Sequence, residues 1–165
     1  MGSDTDVLRE TLLDHLKVMH RRASYQVGVV ALLEGLTGDD AGWVPPGGVH
    51  SIRDLVYHMR YWTSWVVDVV SGRCSPLPPQ PARDWPDMLG PDADEVEWES
   101  LLGGLLSALS ELEEAVERAP EDRLRSPDRG AALVLALTAH NLYHAGQVAM
   151  IRRLLGKAVQ YPHGD

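Results

Sequence analysis

Apolar residues recur at spacings of three and four through most of this 165-residue chain, in segments separated by clusters of glycine and proline. This period is typical of amphipathic α-helices, and no stretch shows the period-two alternation, flanked by turn residues, of a β-strand. Four such segments are present, and four amphipathic helices bury their apolar faces most simply against one another. The sequence therefore predicts an all-α fold, a four-helix bundle, with a single domain over residues 1–165.

Local sequence features mark several ends of the predicted helices. Ser51 followed by Asp54 resembles a capping box, an acidic run opens the third segment, and Ser126 with Pro127 is a typical start for the fourth. The proline-rich stretch from Pro76 to Pro91 is expected to cross the bundle as an extended connection. The predicted helices cover residues 6–36, 51–71, 94–119 and 127–155.

The charge balance and the short apolar runs limit the expected partners and location. The formal net charge is −9, which repels phosphate backbones, so nucleic acid is not an expected partner. No run reaches the roughly 18 to 20 apolar residues of a membrane span, and the first residues lack the pattern of a signal peptide. With only one cysteine in the chain, these features lead us to expect a cytoplasmic protein that does not bind membranes.

Two histidines one helical turn apart interrupt the apolar run of the predicted last helix. His140 and His144 lie in HNLYHAGQ in the same register as neighbouring leucines, so both imidazoles are expected to face the core. His58 falls on the inward stripe of the second helix. Three imidazoles from two helices could therefore meet at one divalent ion, and zinc or nickel suits neutral imidazole nitrogens. The alternative at this point is a set of core histidines satisfied by hydrogen bonds.

Two common metal-site patterns do not fit these residues. Asn141 follows His140, where the HExxH zinc proteases have the glutamate that acts as general base. The inward stripes also lack the glutamates that hold two irons in ferritin-like bundles. A single ion is therefore implied.

Four further residues lie within one helical turn of the three histidines. Asn141, Tyr143 and Gln147 on the last helix could orient imidazole rings or a substrate, and Asp54 could accept a hydrogen bond from His58. Helix-flank or surface packing is the alternative role for Asn141 and Tyr143, and helix capping is the alternative for Asp54. These four are the candidate positioning or substrate-binding residues.

Two separated motifs resemble those of the DinB/YfiT-like superfamily of metalloenzymes. They are HSIRDLVYHM, residues 50–59, and HNLYHAGQVAMIRRLLG, residues 140–156, and the resemblance spans most of the chain. It implies a four-helix bundle that is often a homodimer, with one divalent metal ion bound by His58, His140 and His144. Characterised members include mycothiol-dependent isomerases and bacillithiol S-transferases, so the resemblance also implies a low-molecular-weight thiol, such as mycothiol or bacillithiol, as a cosubstrate.

Three neutral histidines leave at least one coordination position free, which is typical of a catalytic rather than a closed structural site. We therefore expect a metal-dependent enzyme that acts on a small molecule, either a thiol-dependent S-transferase or a hydrolase. One alternative is a non-enzymatic, stress-related metal-binding protein in which the ion is structural. The other is a metal-free helical interaction module.

Overall fold

The computed structural model describes residues 4–21, 27–48, 50–74, 85 and 95–159. Within them the chain forms seven helices and no strand, so the predicted all-α class is confirmed. Four helices are long and correspond to the predicted segments, whereas three short helices were not predicted. The helices are α1 (Asp4–His20), α2 (Val29–Leu33), α3 (Gly38–Gly42), α4 (Ile52–Ser71), α5 (Glu95–Arg118), α6 (Glu121–Leu124) and α7 (Ala131–Leu154).

The four long helices pack side by side around an apolar core. α4 packs against α5 and α7, and α1 packs against the same two helices, so α1 and α4 occupy opposite corners of the bundle. Trp98 on α5 packs in one part of the core with Met59 and Val148, while Leu16 packs in another part with Leu112. The contact between α4 and α7 brings together the helices that carry the three histidines.

The predicted boundaries of α4 and α5 are confirmed within one residue. Ser51 and Asp54 form the expected capping box: Ser51 Oγ accepts from the backbone N–H of Asp54, and an Asp54 oxygen accepts from the backbone N–H of Ser51 at 2.8 Å. At the other end Gly72 caps α4 in the left-handed conformation, with φ of 77°. Local chemistry at both ends therefore sets the register of His58.

The prediction of one continuous helix over residues 6–36 is wrong. α1 ends at His20, Val27 and Gly28 are not helical, and the short α2 and α3 follow. Side chains from the long helices hold this part of the chain through its backbone carbonyl groups. Arg53 Nη2 donates to Gly38 O at 2.9 Å, and Trp98 Nε1 donates to Leu36 O at 3.0 Å. Arg152 Nη1 donates to Leu32 O at 3.0 Å and to Glu34 O at 2.8 Å. These hydrogen bonds hold the backbone between Leu32 and Gly38 against α4, α5 and α7.

The last helix begins four residues later than predicted, at Ala131 instead of residue 127. Ser126 donates from its hydroxyl to Asp128 in a turn, rather than capping the helix. Gly130 precedes α7, and a Cβ atom there would lie 2.2 Å from the carbonyl oxygen of Leu124. The close approach of two backbone segments, which only glycine permits, therefore decides where α7 starts.

The predicted proline-rich connection, residues 76–91, lies outside the described residues except for Trp85. None of the helices in the described part of the chain combines the length and apolarity that a bilayer crossing needs.

Candidate metal centre

Three histidines meet where α4 packs against α7. His58 lies near the start of α4, and His140 and His144 lie one turn apart on the facing side of α7. His58 and His144 are each only 5% exposed, and His140 is half-buried. The structure therefore brings together the three residues that the sequence analysis selected.

The nitrogen atoms of these rings have the spacing of a shared ion site. His140 Nε2 lies 2.9 Å from His58 Nε2 and 3.2 Å from His144 Nε2, and the three ligand atoms all lie within 4.8 Å of one another. An ion that holds nitrogen ligands tetrahedrally at roughly 2.0 to 2.1 Å spaces them about 3.3 to 3.4 Å apart. Small side-chain rotations would therefore suffice for all three to bind one ion.

Side-chain amides determine which nitrogen of two rings carries the proton. Gln147 Oε1 lies 2.7 Å from His144 Nδ1, and Asn141 Oδ1 lies 3.3 Å from His140 Nδ1. An amide oxygen only accepts, so each Nδ1 must be the donor, and the Nε2 of each neutral ring then carries a lone pair. Two such lone pairs facing each other at 3.2 Å repel, and a cation between them removes that repulsion.

The environment also keeps His144 neutral. The pKa of His144 is lowered to about 4, chiefly by burial and also by the cationic forms of His140 and His58, while the hydrogen bond with Gln147 partly opposes these effects. At neutral pH a metal ion would therefore not have to displace a proton from this ring.

Asn141 is buried, which disfavours the surface role that was the alternative for it. Its side chain is only 2% exposed and donates to Thr63 Oγ1 at 3.2 Å, while Thr63 donates to the Met59 carbonyl at 2.7 Å. These hydrogen bonds connect α7 to α4 directly behind His140, which limits the movement of that ring.

Tyr143 and Asp54 have weaker connections to the histidines. Tyr143 is 67% exposed, and its ring meets His144 edge-on at 5.1 Å between centroids. The hydrogen bonds of Asp54 go to Ser51 at the start of α4 and not to His58. An orienting role for these two residues stays a prediction.

Trp85 and His50 contact the site, and neither was among the predicted site residues. The indole of Trp85 stacks on the imidazole of His58 at 3.9 Å and 12°, and on that of His50 at 3.8 Å and 11°. His50 is half-buried. Trp85 lies in the proline-rich stretch, where no periodic pattern predicts the direction of a side chain, so the sequence offered no signal for this contact.

A groove of about 340 Å³ opens beside the histidines between α4 and α7. His58 and His140 form one end of it, and Trp62 meets both of these rings edge-on, at 6.3 Å and 6.4 Å. The remaining lining is apolar: Trp65, Val66, Leu133, Ala136 and Leu137. A small molecule in this groove would lie next to the nitrogen atoms of the cluster.

Comparison with known proteins identifies the family of this chain. No curated protein and no solved structure matches the chain. The sequence profile of the DinB superfamily matches residues 27–148, which include α2 to α6, most of α7 and all three histidines. This match covers well over half of the chain and agrees with the helical fold and the histidine cluster. The chain therefore belongs to the DinB superfamily.

Proposed function

We propose that His58, His140 and His144 together bind one divalent metal ion, with zinc or nickel the best suited. The convergence of three imidazole Nε2 atoms, two of them left unprotonated by hydrogen bonds at Nδ1, is the observation that supports this proposal. Three neutral imidazoles without a carboxylate or thiolate favour zinc and nickel over calcium or magnesium, which prefer oxygen ligands.

The proposed activity is that of a metal-dependent transferase that uses a low-molecular-weight thiol, such as mycothiol or bacillithiol, or that of a hydrolase. When bound, such an ion acidifies a water molecule or thiol next to it and so supplies a nucleophile at neutral pH. Three protein ligands leave a position for that molecule. The groove beside His140 supports a small-molecule substrate, because it reaches the cluster from outside the bundle.

The protein's own residues would position and shield this chemistry. Gln147 and Asn141 hold the Nδ1 protons of His144 and His140, so that the Nε2 atoms stay directed at the shared point. Trp62 and Trp85 cover the sides of the His58 ring and exclude water from it. A water-poor site strengthens every charge interaction within it.

Spectrophotometric transferase assays of the metal-loaded protein, with several cellular thiols and electrophiles, test this proposal. We expect turnover that falls at least about 100-fold in His144→Ala, while His15→Ala keeps the wild-type rate. His15 is a suitable control because it lies on α1, bonds to Thr138 at 3.2 Å and is not one of the three clustered histidines. Equal turnover in wild type and His144→Ala would contradict the proposal.

A structural, non-enzymatic ion is the second candidate function, and the burial of His58 and His144 favours it. A chelation experiment separates the two. If the ion is structural, removing it should lower the thermal midpoint sharply and abolish the native circular dichroism. A metal-free protein that keeps its helices and rebinds the ion supports the catalytic proposal.

The remaining proposals concern the whole chain: that residues 1–165 form a single domain, that the protein is cytoplasmic, that it does not bind nucleic acid, and that it forms a homodimer. The dimer is supported by α7, which has no charged residue from Ala131 to Ile151. Its outward face exposes Leu135, Tyr143, Met150 and Leu154. Helices that are apolar all round are usually buried, so we propose that a second copy of the chain packs on this face. Sedimentation velocity tests whether the protein is a dimer.

A further inference from the structure

We propose that the groove between α4 and α7 binds an uncharged, apolar body of the substrate, of one to three rings or an equivalent alkyl chain, with the reactive end of the molecule at the histidines. This inference rests on the proposed function, because it names the class of substrate that the same site would take. Residues of α4 and α7 that are not proposed metal ligands would recognise the body of that substrate.

The absence of charge in the groove supports this proposal. Apart from His58 and His140, its described lining consists of tryptophan, valine, leucine and alanine side chains, with no lysine, arginine, aspartate or glutamate. Two other grooves on the described residues differ in this respect. Arg60 and Asp68 line one, and Arg73, Glu111, Glu114 and Arg118 line the other. A charged group in the α4–α7 groove would lose its hydration without gaining an ion pair.

The size and position of the groove define the occupant further. A cavity of about 150 Å³ holds one benzene ring, so a groove of about 340 Å³ holds a larger body. Trp62 and Trp65 meet edge-on at 5.6 Å and offer the bound group two indole surfaces. Because His58 and His140 line the groove and also belong to the cluster, a molecule in the groove would lie beside two of the three proposed ligands.

The charged groups of a thiol cosubstrate would have to lie outside this groove. We therefore assign the groove to the other substrate, which is the electrophile in a transferase or the ester in a hydrolase. The proposal therefore predicts a preference for neutral aryl or alkyl substrates over dicarboxylates of similar length.

The test measures binding of N-phenyl-1-naphthylamine, a neutral aromatic fluorophore, to the metal-free full-length protein. We expect saturable binding that weakens at least about ten-fold in Ala136→Asp, because the new carboxylate lies in the groove. Ala132→Asp is the matched control: the same substitution on the same helix one turn away, at a residue that is exposed but does not line the groove. It should change the affinity by less than about two-fold.

A second variant keeps the test independent of charge. Ala136→Phe fills the groove without adding a charge and should also weaken binding at least about ten-fold. Since Ala136 is exposed, both substitutions leave the core unchanged, and circular dichroism checks this. Loss of affinity that is equal in Ala136→Asp and Ala132→Asp, or no binding by wild type, would overturn the proposal.

Cobalt loading tests the proposed metal centre independently of the proposed apolar groove. If the protein binds the fluorophore in the groove but takes up no cobalt, the metal centre is wrong while the apolar groove stands. If it takes up cobalt through the histidines but the fluorophore does not bind, the groove assignment is wrong while the metal centre stands.

Discussion

Gln147 is the residue on which the orientation of His144 depends most. Its amide oxygen is the acceptor for His144 Nδ1–H at 2.7 Å. We expect Gln147→Leu to lower the affinity for zinc about 10- to 100-fold, because the ring loses the hydrogen bond that fixes its tautomer. Gln147→Glu keeps an acceptor oxygen and should stay within about ten-fold of wild type. Competition titration against a chromophoric chelator measures both, and equal affinities in all three proteins would contradict this role.

Trp85 is expected to have a smaller effect through its stacking on His58. Aromatic pairs contribute roughly 0.5 to 1.5 kcal/mol, so Trp85→Ala should weaken zinc binding about 2- to 10-fold. Trp85→Phe keeps a stacking face and should restore most of the affinity. The same chelator titration measures this change, and an affinity in Trp85→Ala equal to that of wild type would show that the stack does not hold the ring.

The histidines and Trp85 differ in how far sequence could predict them. His140 and His144 lie on a helical apolar stripe, so their inward direction follows from local periodicity. Trp85 contacts His50 and His58, which are distant in the sequence. The direction of its side chain depends on tertiary contacts, which helical periodicity does not predict. Asn141 was predicted as a candidate, but its burial follows from the hydrogen bond to Thr63 on another helix.

At the scale of elements, Arg152 on α7 is expected to stabilise the part of the chain that contains α2. It is 8% exposed and donates to the carbonyl groups of Leu32, Glu34 and Lys157. We expect Arg152→Met to lower the free energy of unfolding by about 2 to 4 kcal/mol, because buried carbonyl groups lose a charged donor.

The neighbouring Arg153 is the matched control for this prediction, because it is exposed on the same last turn of α7. Arg153→Met should change the free energy of unfolding by less than about 0.5 kcal/mol. Urea unfolding followed by circular dichroism measures both variants. A loss in Arg153→Met as large as that in Arg152→Met would contradict the role of the buried guanidinium group.

These hydrogen bonds also explain why some elements were harder to predict than others. The ends of α4 could be predicted because Ser51, Asp54 and Gly72 act within a few residues of the helix. The break after α1 could not, because the backbone that follows it is held by side chains on three distant helices, and local periodicity does not reveal those contacts. The late start of α7 likewise depends on a packing contact of Gly130 and not on the preceding serine and proline.

At the scale of the whole molecule, buried histidines should make the metal-free protein sensitive to acid. His20 is 1% exposed, and burial lowers its pKa even though the hydrogen bond to Glu113 raises it. A folded-state pKa below the unfolded value of about 6.5 means that the unfolded chain binds more protons as the pH falls. The contribution of neutral His20 to the free energy of unfolding is therefore fully present above about pH 6.5, and it is lost as the pH falls from about 6.5 toward the folded-state pKa.

His144, with its pKa of about 4, likewise stabilises the folded protein only while it is neutral, so stability continues to fall down to about pH 4. We expect the free energy of unfolding of the chelator-treated protein to fall by about 1 to 3 kcal/mol between pH 7 and pH 5. Urea unfolding at the two pH values measures the fall. It should be smaller in His20→Gln, and an equal fall in the variant would exclude His20 as a contributor.

The metal content of the untagged protein tests the central claim most directly. After loading with zinc or nickel and extensive dialysis, plasma mass spectrometry should find about one ion per chain in wild type and in His15→Ala. The variants His140→Ala and His144→Ala should retain less than about a tenth of that amount under the same dialysis. Equal metal content in all four proteins, or none in wild type, would contradict a shared site at the three histidines.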